Sequence, residues 1–302
     1  MRVLFAVPAL FLLTTFIPPG RARPEPVPAV TFVSFEPVPL DRANPKRADV
    51  GALHFLGGWN IESNDPRVGG ISAMHVEGGE VTALSDAGTI VRFPVPGGAR
   101  EARAEVTRLT EGPGRSSSKT DRDTESLTVM GPFAWVGFEQ LNAVWRYNRG
   151  KWTTSAGATP KGMAKWESNS GAEAMVRLPD GRFLIFSEGE DGERESPLLL
   201  FEGDPAVPGT RAVALRYRPP RGYRITDAAL LPDGRLLLLN RRWRVLEGGS
   251  AKLVVASLGP VVEGREIADF HNPLSVDNME ALSVTHEGAE TTVWIASDDN
   301  FN

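Results

Sequence analysis

Short apolar runs separated by turn residues recur along the chain, and no window keeps the 3.6-residue period of an amphipathic helix. One unit occurs five times: a polar residue, a short apolar run, a turn, a second apolar run and another polar residue. The copies begin at Ser72, Glu125, Glu173, Thr226 and Glu280, which are 48 to 54 residues apart. This pattern predicts an all-β chain built from a repeated β-hairpin.

The segments between the paired apolar runs have the composition of tight turns. Residues 179–182 and 232–235 both read Pro-Asp-Gly-Arg, in which Asp favours the turn and Gly accepts a positive φ. The spacing between copies leaves room for further strands, for example at Leu198–Phe201 and Ala212–Tyr217 after the run Phe183–Phe186. Four strands at a period of about 50 residues are typical of a propeller blade.

The repeat and the N-terminal strands together predict a β-propeller of six blades. Five copies supply five blades, and strands expected at Val30–Glu36 and Ala52–Ile61 supply material for a sixth. In this prediction the N-terminal strands and the last C-terminal strands share one blade and close the ring. A pair of β-sandwiches is the alternative, but the regular spacing of the hairpins favours the propeller.

Carboxylates recur at the open ends of the predicted hairpins. Simple pairing about each turn places two acids opposite each other in three hairpins, namely Glu125 with Glu139, Glu173 with Glu188, and Glu280 with Asp298. Like charges directly opposite one another destabilise a hairpin, so the fold needs a compensating partner. If the paired strands are the inner ones of each blade, these acids and Asp86 form a funnel at one end of the central channel.

Two kinds of partner would balance this charge. One is a bound cation such as Ca²⁺, because hard cations prefer oxygens from carboxylates and amides. Its expected ligands are Asp86, Glu125, Glu139 and Asp298. The other is Arg241 with Arg242, which stand in the fourth copy where the other copies have acids. The same guanidinium groups suit an anionic substrate, and the sequence leaves these alternatives open.

Composition excludes several classes of protein and site. The 302 residues carry a formal net charge of −5, which does not suit a nucleic-acid-binding surface. The chain has no Cys, which excludes disulfides, thiolate metal sites and a cysteine nucleophile. It also lacks the G-x-S-x-G, H-E-x-x-H and P-loop motifs, so hydrolase elbows, zincins and nucleotide loops find no support.

Residues 1–22 have the pattern of a secretory signal peptide. An apolar run from Val3 to Ile17 follows a basic residue, and the small residues Gly20 and Ala22 stand at −3 and −1 of the expected cleavage site. The run is too short to span a membrane. We therefore expect an exported bacterial protein, periplasmic or secreted, with a single domain at 23–302, no membrane span and a monomeric state.

Short motifs at the ends of the hairpins form an ordered series. They are Gly69–Ala73, Ser85–Gly88, Asp123–Leu127, Phe138–Glu139, Gly171–Ala174, Ser187–Gly189, Ile225–Asp227, Asn240–Arg242, Asp277–Ala281 and Ser297–Phe301. From about Val30 to the end, the chain resembles the phytase-like domain family, also labelled "esterase-like activity of phytase". The resemblance implies an exported propeller that hydrolyses phosphate or other esters, and an architecture similar to that of calcium-dependent propeller phytases.

These observations predict an ester hydrolase whose metal polarises the ester and lowers the pKa of an attacking water. The expected catalytic residues are Glu173, Glu188 and Glu280, and Arg241 or Arg242 would hold the anionic group of a small ester or sugar-like ligand. The alternative is a non-catalytic propeller that binds a ligand or protein partner and uses its acids to hold a structural ion. Trp243, directly after the two arginines, is a candidate for lining the same opening.

Overall fold

The computed structural model describes residues 27–190 and 192–298, and the predicted signal peptide at 1–22 lies outside them. Strands dominate this part of the chain, with two short 3-10 helices at Thr120–Arg122 and Lys161–Met163. The all-β prediction is confirmed. None of the helices described is long and apolar enough to cross a membrane.

The first sheet contains the first repeat and two N-terminal strands. The strands in chain order are β1 (Thr31–Pro37), β2 (Asp49–Val50), β3 (Leu53–His54), β4 (Trp59–Ser63), β5 (Ile71–Glu77), β6 (Glu80–Ser85), β7 (Thr89–Pro94) and β8 (Glu101–Arg108). β5 to β8 form an antiparallel meander, and β1 and β4 extend it beyond β8. β2 and β3 pair with each other as a separate short hairpin.

Each of the next three repeats forms one sheet. The second contains β9 (Thr124–Met130), β10 (Phe133–Phe138), β11 (Ala143–Asn148) and β12 (Thr153–Ala158). The third contains β13 (Ala174–Arg177), β14 (Phe183–Phe186), β15 (Ser196–Phe201) and β16 (Ala212–Tyr217). The fourth contains β17 (Arg224–Leu230), β18 (Leu236–Arg244), β19 (Gly248–Ala256) and β21 (Gly264–Phe270), while β20 (Val261–Val262) joins the third sheet by pairing in parallel with β16.

The fifth repeat is a hairpin of β22 (Asn278–Glu287) and β23 (Glu290–Asp298). The first strand of each repeat contacts the first strands of its two neighbours, in the order β5, β9, β13, β17, β22 and back to β5. Hydrophobic clusters join adjacent sheets. One contains Phe186 of the third sheet and Leu238 of the fourth, and another contains Val76 of the first sheet and Ala281 of the fifth repeat. The sheets therefore have a propeller-like arrangement around a closed ring.

The six blades predicted from the sequence are not confirmed. The described residues form a ring of four larger sheets and one two-stranded hairpin. β1 does not complete a blade with the C-terminal strands; it pairs with β8, with Thr31 opposite Ala104 and Ser34 opposite Glu101. The alternation of apolar residues in β1 predicts a strand. It does not specify the neighbour of this strand, because a strand with this pattern can pair with the edge of any of the sheets.

The two Pro-Asp-Gly-Arg turns are confirmed. In the third repeat, Asp180 accepts hydrogen bonds from the backbone N of Arg182 at 3.1 Å and from its Nε at 2.7 Å. Asp233 and Arg235 repeat these contacts in the fourth repeat at 3.0 and 2.8 Å. The Gly of each turn has a positive φ, +90° and +84°. The same four residues give the same structure twice, so the local sequence specifies these turns.

Candidate functional site

A β-bulge interrupts the pairing near the open end of the hairpins. In the second repeat Ser126 lies opposite Gly137 and Thr124 opposite Phe138, so Glu125 has no residue opposite it. The same register shift occurs in three other repeats. The residue without a cross-strand partner is Ser72 in the first repeat, Thr226 in the fourth and Glu280 in the fifth. A bulge places an extra residue in one strand and changes the direction of its side chain.

None of the three predicted pairs of acids lies directly across its hairpin. In the third repeat, which has no bulge, Ala174 lies opposite Phe186, so the register is one residue away from one that would pair Glu173 with Glu188.

In the second and fifth repeats the bulge causes the shift. The backbone N of Glu139 donates to the backbone O of Asp123, so Glu139 lies opposite Asp123 and not Glu125. Asp298 lies opposite Asn278 and not Glu280. The predicted pairs assume that every residue of one strand lies opposite one residue of the other. An unpaired residue in one strand shifts all pairs beyond it by one position.

The residue at the bulge has two different roles around the ring. Where it carries a hydroxyl it links neighbouring repeats: Ser72 Oγ donates to the backbone O of Thr124 at 2.5 Å, and Thr226 Oγ1 to that of Met279 at 3.0 Å. The second and fifth repeats have Glu there instead. Among the described residues, the side chains of Glu125 and Glu280 do not form this hydrogen bond to the backbone of a neighbouring repeat.

Acidic side chains from four of the five repeats approach one another. Carboxylate oxygens of Asp123, Glu125 and Glu139 lie within 4.8 Å of one another. Glu173 lies within hydrogen-bonding reach of Glu139 and also interacts with the carboxylate of Glu280. We call this group the acidic cluster; its members are Asp86, Asp123, Glu125, Glu139, Glu173, Glu188, Glu280 and Asp298.

The fourth repeat contributes arginines to this cluster. Arg224 Nη1 donates to Glu188 Oε2 at 2.7 Å. Arg241 Nε lies 3.1 Å from Glu280 Oε1, its Nη2 lies 3.6 Å from Glu188 Oε1, and its Nη1 donates to Asn278 Oδ1 at 2.8 Å. Of the two arginines expected to balance the acids, Arg241 forms ion pairs with acids of the neighbouring repeats.

Arg242 lies apart from these contacts. Its Nη2 is 3.1 Å from Glu247 Oε2, and its guanidinium group lies 4.7 Å from the centre of the Tyr223 ring. Successive side chains of a strand point to opposite faces, which separates Arg242 from Arg241. The structure therefore brings one of the two predicted anion-binding arginines to the acidic cluster.

A loop between the first and second sheets adds a lysine. Lys119 Nζ lies 2.9 Å from Asp86 Oδ2. The hydrogen bond with Asp86 raises the pKa of Lys119, and the carboxylates of Asp123 and Asp298 add to this effect. The Lys119 side chain is 65% exposed. Asp86 is thus balanced within the chain.

Arg122 anchors the same loop although it is only 1% exposed. Its guanidinium group donates to the backbone oxygens of Pro113 and Thr110 and lies 6.0 Å from the centre of the Phe138 ring. Because a buried guanidinium group is costly unless it is hydrogen-bonded, these carbonyls hold it in place. Arg122 therefore fixes the backbone directly before Asp123.

Burial raises the pKa of the acids that lie deepest in the cluster. Burial first, and then repulsion by neighbouring carboxylates, raise the pKa of Glu139 and of Glu280 to about 7, although Arg241 lowers that of Glu280. The same causes raise the pKa of Glu125 and of Glu173 well above the usual range. Carboxylates in this state favour a bound proton or a bound cation.

The charge of three of these acids is not balanced by an ion pair. Among the residues that the structure describes, no Lys, Arg or His forms a salt bridge within 4.0 Å of Glu125, Glu139 or Glu173. Gln140 Nε2 donates to Asp123 Oδ2 at 3.1 Å and to Glu139 Oε2 at 3.3 Å. The arginines therefore balance one side of the cluster and leave the other side acidic.

Sequence reasoning missed Arg224, Lys119 and Asp227. Arg224 lies opposite Arg241. Asp123 and Asn278 hold the equivalent position in the second and fifth repeats. An alignment of the repeats that allows for the bulge would therefore have identified Arg224 as a residue of the cluster. No local signal identifies Lys119, because the path of its loop depends on the buried Arg122. Asp227 is 3% exposed and accepts hydrogen bonds from the backbone N of Leu282 and Ala228.

Comparison with solved structures finds chains of low similarity. A chain of a nidogen/laminin complex has a TM-score of 0.43 at 14% identity, with 90% of this chain and 91% of that chain covered. The β-propeller domain of Cps50 (Swd1) from Myceliophteria thermophila has a TM-score of 0.39 at 10% identity, with 70% and 76% covered. The computationally designed Ika4 protein has a TM-score of 0.34 at 13% identity, with 64% and 94% covered. These similarities carry no information on function.

Sequence comparison gives a clearer result. A search of curated proteins finds no match. A family model described as "Phytase-like: Esterase-like activity of phytase" matches residues 66–301, a span that contains all five repeats and the whole acidic cluster. Because this match covers most of the chain, the protein belongs to the phytase-like family.

Proposed function

We propose that this protein is a metal-dependent hydrolase of phosphate or other esters and that its acidic cluster holds the metal. One observation carries the proposal: Asp123, Glu125 and Glu139 bring carboxylate oxygens within 4.8 Å of one another in a protein of a family named for esterase-like activity. Three carboxylates at this separation repel one another unless protons or a cation lie between them.

The donor set suits Ca²⁺. Ca²⁺ takes six to eight oxygen ligands and tolerates irregular geometry, so carboxylates, an amide oxygen and water together satisfy it. Asp123, Glu125 and Glu139 would supply the first oxygens, with Asp86 and Asp298 as further ligands from the adjacent repeats. When bound, a divalent ion polarises an ester oxygen and lowers the pKa of an attacking water.

The remaining groups of the cluster handle the proton and the substrate. Glu280 is 9% exposed, and Arg241 Nε lies 3.1 Å from its carboxylate, so we assign to Glu280 the acceptance of the proton from the attacking water. Glu188 is bound by two arginines and positions Arg241. Glu173 shares its environment with Glu139 and would hold a proton there. Arg241 is the residue placed to contact the anionic group of a substrate.

A second function is a non-catalytic propeller whose acids hold a structural ion. It is favoured by the contacts of Arg241, whose guanidinium group is already engaged with Glu280, Glu188 and Asn278. A group so engaged has less capacity for a substrate anion. Turnover distinguishes the two functions.

We expect the purified protein to hydrolyse para-nitrophenyl phosphate or para-nitrophenyl acetate with Ca²⁺ present and to lose this activity after chelation. Replacing Glu280 by Gln removes the proton acceptor and should lower kcat roughly 100-fold. Glu287→Gln is the matched control, because Glu287 is exposed at the turn end of the same strand. Equal rates for wild type and Glu280→Gln, or no turnover of either ester, would contradict the hydrolase and favour the binding function.

Metal binding is tested separately from turnover. Adding Ca²⁺ stepwise to the chelated protein should raise Tm, since a ligand at about 100 times its Kd adds roughly 2.7 kcal/mol. For a chain of this size the rise is about 5 °C. Glu125→Gln should weaken the affinity roughly tenfold or more, while Glu287→Gln leaves it unchanged. A protein that shows no shift with Ca²⁺, Mg²⁺ or Mn²⁺ has no metal in this cluster.

A further inference from the structure

The hairpin of β18 and β19 extends beyond the acidic cluster. β6 ends at Ser85 and β10 ends at Phe138. In its own repeat, each of these residues belongs to the first cross-strand pair beyond the bulge. Asn240 holds the equivalent position in β18. β18 continues for four more residues to Arg244, still paired with β19. At about 3.3 Å per residue, the hairpin extends roughly 13 Å past the level at which those strands end.

Trp243 lies on the side of this extension that faces the cluster. Residues two apart in a strand share a face, so Trp243 follows Arg241, whose guanidinium group contacts Glu280 and Glu188. Trp243 lies opposite Gly249, and a Cβ at Gly249 would meet its Cε3 at 3.5 Å. The indole ring therefore lies against bare backbone on one side, and the side chain remains 63% exposed.

The other face of the extension is polar and held by ion pairs. Glu247 lies 3.1 Å from Arg242 and 2.9 Å from Arg244. Between them, at the turn, Val245 is 92% exposed and Leu246 is 98% exposed. Ion pairs thus hold the polar face of the hairpin, while Trp243, Val245 and Leu246 remain exposed to solvent.

From these observations we infer that Trp243, with Val245 and Leu246, binds an apolar alkyl or aryl group of an ester whose reacting bond lies at the acidic cluster. This inference rests on the proposed function and deepens it by naming the substrate class. Trp243 and Arg241 are separated by roughly 7 Å along the strand, so a single small ester contacts both.

A series of para-nitrophenyl esters with acetyl, butyryl, hexanoyl and octanoyl groups tests the inference. For the wild type we expect kcat/KM to rise with chain length, by up to roughly fourfold for each methylene that is removed from water. Trp243→Ala should remove most of this rise. Trp243→Phe should restore it, and Leu56→Ala, which alters an exposed apolar residue outside this hairpin, should keep it.

A binding measurement separates this inference from the proposed hydrolase. Butyrophenone has the shape of an aryl ester but no hydrolysable bond, and equilibrium dialysis measures its affinity directly. Binding that Trp243→Ala weakens at least fivefold supports the apolar site even if no ester is turned over, in which case the hydrolase alone fails. Equal chain-length profiles and equal butyrophenone binding for wild type and Trp243→Ala would overturn the inference. So would a hairpin that instead binds phosphatidylcholine vesicles through Trp243 without any preference among the esters.

Discussion

Replacing Asp227 by Ala is expected to lower the free energy of unfolding by about 3 kcal/mol. The Asp227 carboxylate accepts hydrogen bonds from the backbone N of Leu282 at 2.6 Å and of Ala228 at 2.7 Å, and the side chain is 3% exposed. Removing it leaves two buried N–H groups without their acceptor. It also breaks a link between β17 and β22, the strand with which the fifth repeat joins the first.

Thermal unfolding measures this loss as a fall in Tm of about 6 °C. Asp227→Asn retains one acceptor oxygen and should lose less than the Ala variant. Asp233→Ala, in the exposed turn of the same hairpin, is the matched control and should cost less than about 1 kcal/mol. Should Asp227→Ala unfold at the temperature of the wild type, the buried carboxylate does not hold the ring closed.

The metal-free protein is expected to lose stability as the pH rises from 5 to 8. Burial raises the pKa of Glu139 and Glu280 from 4.5 to about 7 in the folded state, so the folded state binds protons more tightly than the unfolded state. The stabilisation is therefore complete below pH 4.5 and is lost as the pH passes through 7. For Glu280 alone this difference corresponds to roughly 3 kcal/mol.

Urea unfolding at pH 5 and pH 8, with a chelator present, measures this dependence. Glu280→Gln removes one titrating group and should reduce the difference between the two pH values, whereas Glu287→Gln should retain it in full. A wild-type protein that is more stable at pH 8 than at pH 5 would show that the acids of the cluster are ionised and balanced without protons or metal.

Much of the fold follows from patterns of neighbouring residues. The strands expected at Phe183–Phe186 and Ala212–Tyr217 are present with these bounds, and both Pro-Asp-Gly-Arg turns have the expected contacts. Each depends on alternating burial or turn chemistry within a few residues. Carboxylates from four repeats interact in the structure. The funnel at one end of the central channel, which the recurrence of acids at hairpin ends predicts, stays a prediction.

The predicted number of blades and the predicted acid pairs depended on longer-range features. The pairing of β1 with β8 is a choice between sheet edges that look alike in sequence. The bulge at Glu125 and Glu280 adds one residue to one strand, and no residue type marks such an insertion reliably. Its effect is nevertheless large, because it moves each acid out of the cross-strand pair expected for it.

The class of fold, the hairpin repeat, its turns and the recurrence of carboxylates can be predicted from the sequence, because they depend on local periodicity and composition. Which charges are balanced depends on the packing of the sheets. Arg241 reaches Glu280 and Glu188 while Arg242 turns to Glu247, and Lys119 reaches Asp86 from a loop held by the buried Arg122. Ion pairs form between side chains that are distant in sequence, so their partners are set by how the sheets pack around the ring.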